Sequence, residues 1–281
     1  MNDHLDDFPL SPDCWTDGAA YYAAFTQAEN LASSLPKNGR DDDRTIYALT
    51  RHILQNRSNS DTLFRSSKTI AQAQATVWLS KVRSIAEWFT AATSLPEFSG
   101  LEAGILGELA KLSVRRNFSE ELQKVLLSHG VILIHERALP SMKVDGASFK
   151  LVSGNPVIGI SLRYSRLDYY WFTLMHELAH VVMHNEILDS PIMDDLDEAP
   201  TTLIERQADR LASDSLIPKN EWRNCPARYT LKEVDLLRFA RKIGIAPQIV
   251  AGRIRRDLRR HEIFSDLIHE VNMREILLAE A

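Results

Sequence analysis

The stretch Trp171–His184, WFTLMHELAHVVMH, is apolar except for three histidines, a glutamate and a threonine. Polar side chains in such a run cost free energy unless something binds them, so this segment constrains the chain more than any other. HELAH is His-Glu-x-x-His. On a helix, positions i and i+4 lie one above the other. His176 and His180 can therefore present two imidazoles to one metal ion. Glu177 sits beside them, placed to act as general base toward a water in an open position of that ion.

A catalytic zinc takes a third protein ligand. His184 continues the row at i+8, but a straight helix carries it ~12 Å from His176, which leaves it a packing or supporting role behind the ligands. The acidic loop EILDSPIMDDLDEAP offers Asp189, Asp194, Asp195 and Asp197, a run that reads as solvated surface. ERQAD is the better source. Glu205 and Asp209 are i and i+4 on a helix whose Leu203, Ile204, Ala208, Leu211 and Ala212 pack it on the core. Glu205 completes a His, His, Glu set, and Asp209 orients a ligand imidazole from behind.

The surroundings suggest an α+β fold, mostly helical, with a small three-stranded sheet packed on a zincin-like HExxH helix. Residues 1–130 read as a helical N-terminal region. It includes AAYYAAFTQAENLA, TIYALTRHILQ and AQAQATVWLSKVRSIAEWFTAAT, the last with an apolar face of Val77, Leu79, Val82, Ile85, Trp88 and Phe89. A polar loop, Ser33–Arg44, interrupts it. SEELQKVLLSHG predicts a helix capped by Ser119 and ended by Gly130. Residues 131–260 form the zincin-like domain, with strands in VILIHER, ASFKLV and NPVIGISLRY separated by turn signals. PVIGISLRY is either an exposed edge that pairs with an extended peptide or a plain sheet strand. Residues 261–281 are a helical tail.

A chain of 281 residues can bury a substantial core. Its formal charge of -5 argues against nucleic-acid binding by net charge. Only Cys14 and Cys225 are present, so no disulfide framework is implied and a reducing interior fits. Cys225 reads as a small apolar residue. The acidic start MNDHLDDFPLSPD is no signal peptide, and no apolar run reaches a membrane span. A cytoplasmic protein with no membrane association is expected.

WFTLMHELAHVVMH followed by ERQADRLASDSLIP resembles the ImmA/IrrE family of bacterial metallopeptidases. VDGASF, VIGISLRYSRLDYYWFTL and FARKIGIAPQIVAGRIRRDL extend the likeness, and FRSS followed by ATVWLSKVRSIAEW, similar to the helical segment before the peptidase domain in longer members, carries it over roughly residues 62–260. The resemblance implies zinc held by His176, His180 and Glu205, with Glu177 as general base. It also implies a regulatory peptidase that cuts a repressor or antitoxin-like partner, co-encoded with it, in toxin–antitoxin, stress-response or transcription control. Longer members begin with a helix-turn-helix, and residues 1–60 carry none. An oxyanion donor is also needed, and Tyr169, Tyr170 and Arg163 lie nearby in sequence. One alternative is a non-proteolytic antitoxin or transcriptional regulator that uses the zincin domain as a binding module. Another is DNA binding through LLRFARKIGIAPQIVAGRIRR, where Arg253, Arg255, Arg256, Arg259 and Arg260 cluster. Against it, arginines on a terminal helix are commonly a solvated face.

Overall fold

The computed structural model describes residues 70–195 and 202–278, with Thr26 besides. The helices expected before residue 70, the loop expected at Ser33–Arg44, the expectation that residues 1–60 hold no helix-turn-helix, and Asp197 all fall outside the described residues. The chain divides between Lys81 and Val82. Helix α1 (Ile70–Ala92) carries that boundary, and everything that follows belongs to the second unit.

The expected apolar face of α1 splits. Val82 and Ala86, one turn apart, are buried, whereas Ile85 is 38% and Trp88 77% exposed. The stripe is wider than the core it meets. Helix α2 (Ala103–Ala110) runs through a 3-10 turn into the loop before α3 (Phe118–Ser128). Ser119 lies inside α3, whose N-cap is Asn117. The helix starts earlier than expected because Phe118 is itself buried in the core. Gly130 does end it, at φ 74°. A Cβ there would lie 2.7 Å from the Pro96 carbonyl oxygen, so glycine is required for space as well as for backbone.

The sheet has four strands among the described residues: β1 (Ile132–His135), β2 (Gly146–Lys150), β3 (Pro156–Ile160) and β4 (Ile192–Asp194). Their order is β1-β3-β2-β4. β1 runs parallel to β3, and β2 pairs antiparallel with both β3 and β4. PVIGISLRY is therefore no free edge. β3 lies between two strands with all five residues buried, as a near-continuous apolar strand must. The edge next to β2 is taken by β4, a three-residue strand inside the acidic loop that sequence periodicity does not reveal.

Helix α4 (Leu167–His184) contains HELAH and buries thirteen of its 18 residues. Apolar nearly all round, it is a core helix. Helix α5 (Leu203–Leu216) lies against it with Ala208, Ala212 and Leu216 buried on one face. Alanines at that spacing let the two backbones approach closely. Short helices α6 (Lys219–Arg223) and α7 (Ala227–Thr230) lead to α8 (Glu233–Ile243) and α9 (Pro247–Leu258). Gly244 turns the chain between α8 and α9 at φ 75°. The tail is α10 (Ser265–His269) and α11 (Met273–Leu278).

The α9 arginines are not simply a solvated face. Arg253 Nη1 donates to the carbonyls of Ser213 (2.9 Å) and Ile217 (2.8 Å), satisfying the C-terminal end of α5. Arg255 is buried and donates to the His261 carbonyl. Arg256 covers the Phe172 ring, 4.3 Å from its centroid. Cys225 is fully buried, and burial pushes its thiol up.

Candidate metal centre

Four donor atoms converge where α4 faces α5 and the end of β4. His176 Nε2 lies 3.0 Å from His180 Nε2. Glu205 Oε2 is 3.2 Å from the first and 3.5 Å from the second. Asp194 Oδ2 is 3.3 and 3.4 Å from the same two nitrogens. A tetrahedron of N and O ligands ~2.05 Å from a zinc ion has edges of ~3.3 Å. Five edges of this cluster match that length, and all four atoms lie within 4.8 Å of one another.

The surroundings are rich in acidic groups. Glu177 Oε1 is buried without a hydrogen bond. Four carboxylates, those of Glu177, Asp194, Glu205 and Asp209, gather around two imidazoles. Leaving charges buried and uncompensated is costly. Two imidazole nitrogens with two carboxylate oxygens are a donor set that suits zinc. The residues therefore fit a divalent ion.

Local sequence accounts for most of this placement. The i, i+4 spacing in α4 sets the two imidazoles on one face. Thr202 caps α5 by accepting from the Glu205 backbone N–H at 3.2 Å, a fixed start that aims the Glu205 side chain. One turn later, Asp209 Oδ1 accepts from His176 Nδ1 at 2.9 Å. That contact puts the proton on Nδ1 and frees Nε2 for an ion. His180 Nδ1 has no such partner.

Residues 128–255 match the model of the M78 peptidase family, described as the IrrE N-terminal-like domain. This stretch is an IrrE N-terminal-like domain. No curated protein and no solved structure matches the chain. The IrrE N-terminal-like domain contains every residue of the centre, and its family is one of peptidases.

Glu177 is fully buried on the β2 side of the domain's HELAH helix. Ser148 Oγ donates to Glu177 Oε2 at 2.6 Å and to its backbone carbonyl at 3.1 Å. A Cβ on Gly146 would lie 2.2 Å from Glu177 Oε1, so a glycine is needed where the carboxylate lies. Burial, and then the charge of Asp194, push the Glu177 carboxyl up to about 8. A divalent cation nearby reverses that direction. Burial lowers His176, but hydrogen bonds to Asp194, Asp209 and Glu205 outweigh it and hold the imidazole up at about 12, so an ion at Nε2 would have to displace a proton there. The two imidazoles likewise hold the Asp194 carboxyl below its usual range against the opposing effect of burial.

The remaining sequence candidates divide. His184 stands apart from the donors: its ring centroid is 5.6 Å from that of His180, and it meets the Ile204 backbone. Asp194 is not the solvated loop residue expected, because pairing with β2 buries it to 6% exposure. Asp189 is solvated, 81% exposed beside Lys150. Arg163 is engaged with Asp145 and Asp195, each at 3.0 Å. Tyr169 donates to Asp145 at 3.1 Å, and the Tyr170 hydroxyl lies 3.0 Å from His135 Nε2. None of these three faces the donor cluster in a form that marks it as an oxyanion donor. Sequence reasoning does not single out Gly146 and Ser148, although both lie in or beside the VDGASF segment that carries part of the family likeness.

Proposed function

We propose that this protein is a zinc-dependent peptidase that hydrolyses a peptide bond in a repressor- or antitoxin-like partner. The supporting observation is the convergence of His176, His180 and Glu205 on one point, with the Glu177 carboxylate held beside them. Zinc bound there would act as a Lewis acid toward water and the scissile carbonyl. Glu177 takes the proton of the attacking water and delivers it to the leaving amine. Ser148 fixes one of its oxygens and leaves Oε1 free for that transfer. Asp209 holds His176 in the ligating tautomer. The class of partner rests on the resemblance of the HELAH and ERQAD segments to regulatory peptidases, and the cysteine usage suits a reducing cytoplasm.

Glu177→Gln is expected to keep stoichiometric metal and lose cleavage of the co-encoded partner. Undiminished cleavage rejects the mechanism. A second reading, a non-proteolytic regulator that uses this domain for binding, is favoured by Asp194 in the fourth corner, because closed four-ligand sites are structural ones. Full metal content with no cleavage of that partner by the wild type selects it.

A further inference from the structure

Strand β4 covers the edge of the strand that serves the centre. It pairs antiparallel with β2 through Gly146↔Asp194, Ala147↔Met193 and Ser148↔Ile192, alongside the two residues, Gly146 and Ser148, that accommodate and hold Glu177. An extended peptide adding to the sheet at the centre needs that same edge. The last residue of β4 then sends its carboxylate to the two imidazoles, 3.3 and 3.4 Å away. A centre that turns over substrate keeps one position open. Here the Asp194 carboxylate lies where such a position would be, carried by backbone that pairs with β2.

A clasp holds this arrangement. The Asp145 N–H donates to the Asp194 carbonyl at 2.7 Å. Arg163 bridges Asp145, just before β2, and Asp195, just after β4, at 3.0 Å each. Arg163 and Asp145 side chains are 15% and 2% exposed, so this pair is largely shielded from screening by salt.

We propose that Asp194 is a fourth protein ligand to the metal and that β4 occupies the place of an extended peptide, keeping the centre closed until a peptide strand displaces it from β2. The ligand assignment rests on the metal centre alone, and the identity of the displacing strand rests on the peptidase reading. Displacement exchanges one short antiparallel pairing for another and frees a coordination position in the same motion. Arg163 is the positioning residue of the closed form.

The test uses the full chain loaded with cobalt(II), whose visible absorption reports its ligands, and acetohydroxamate as the probe of an open position. The wild type is expected to hold its spectrum across acetohydroxamate concentrations at which Asp194→Ala responds at least tenfold more sensitively. Asp194→Asn, which preserves shape, should respond in the same direction. Arg163→Gln keeps every ligand and should fall between, whereas Asp189→Ala should behave as wild type. Identical titrations for wild type, Asp194→Ala and Arg163→Gln overturn the proposal, as does an unaltered cobalt spectrum in Asp194→Ala. A wild type that binds no cobalt removes the metal centre and the peptidase reading together. Opening in the variants without peptide cleavage supports the plug and rejects turnover.

Discussion

Asp209→Ala tests whether a carboxylate behind His176 strengthens metal binding at that imidazole. His176 is 1% exposed, and its Nδ1 has Asp209 Oδ1 at 2.9 Å. Removing the acceptor leaves a buried N–H unsatisfied, at a cost of about 1–3 kcal/mol. It also frees the ring to adopt the tautomer that turns a proton toward the ion. Loss of such an outer partner typically weakens metal binding ~10–100-fold, about 1.4–2.7 kcal/mol. The Asp209 side chain is 32% exposed, so water partly replaces it and the lower half of that range is expected. Asp209→Asn keeps an acceptor oxygen and loses only the charge, so it should fall between wild type and Asp209→Ala. Competition against a chromophoric zinc chelator at neutral pH measures all three, with Asp214→Ala on the same helix as control. Wild-type affinity in Asp209→Ala would refute the orienting role. A loss no greater than that of Asp214→Ala would make it a general effect of charge.

Gly146→Ala introduces a methyl carbon 2.2 Å from the place that Glu177 Oε1 occupies. Peptide cleavage should fall at least tenfold while zinc content holds, and stability should drop by only ~1 kcal/mol because a carboxylate tip can move; retained activity counts against Glu177 as the base. His135 supplies a pH test remote from the donors. Burial pushes its imidazole down from 6.5 to about 4. The folded form therefore binds fewer protons than the unfolded one between those values, so stability is full above pH 6.5 and declines as pH falls toward 4. Urea midpoints at pH 7 and pH 4.5 should separate more for the wild type than for His135→Gln, and equal separations would reject the assignment.

Much of the centre was legible because its parts obey local periodicity. The spacing of His176 and His180 fixes two imidazoles on one face of any helix, and Glu205 and Asp209 repeat that relation on α5, with Ala208 and Ala212 marking the buried side. The β-branched runs announced β1 and β3, although not that β3 lies inside the sheet. The family match over residues 128–255 agrees with the resemblance read from those motifs.

What spacing could not supply was any relation between segments distant in the chain. Asp194 is one of several acids in a polar loop, and nothing local separates it from the exposed Asp189. Pairing of three residues of β4 with β2 draws it inward and points it at the imidazoles. The same holds for Ser148 beneath Glu177 and for the α9 arginines that meet the end of α5. Sequence determined which faces of which helices carry donors, since a helix repeats by local geometry. Tertiary structure alone decided how many donors meet, because strand register and burial are set by pairing between segments whose separation in the chain has no period.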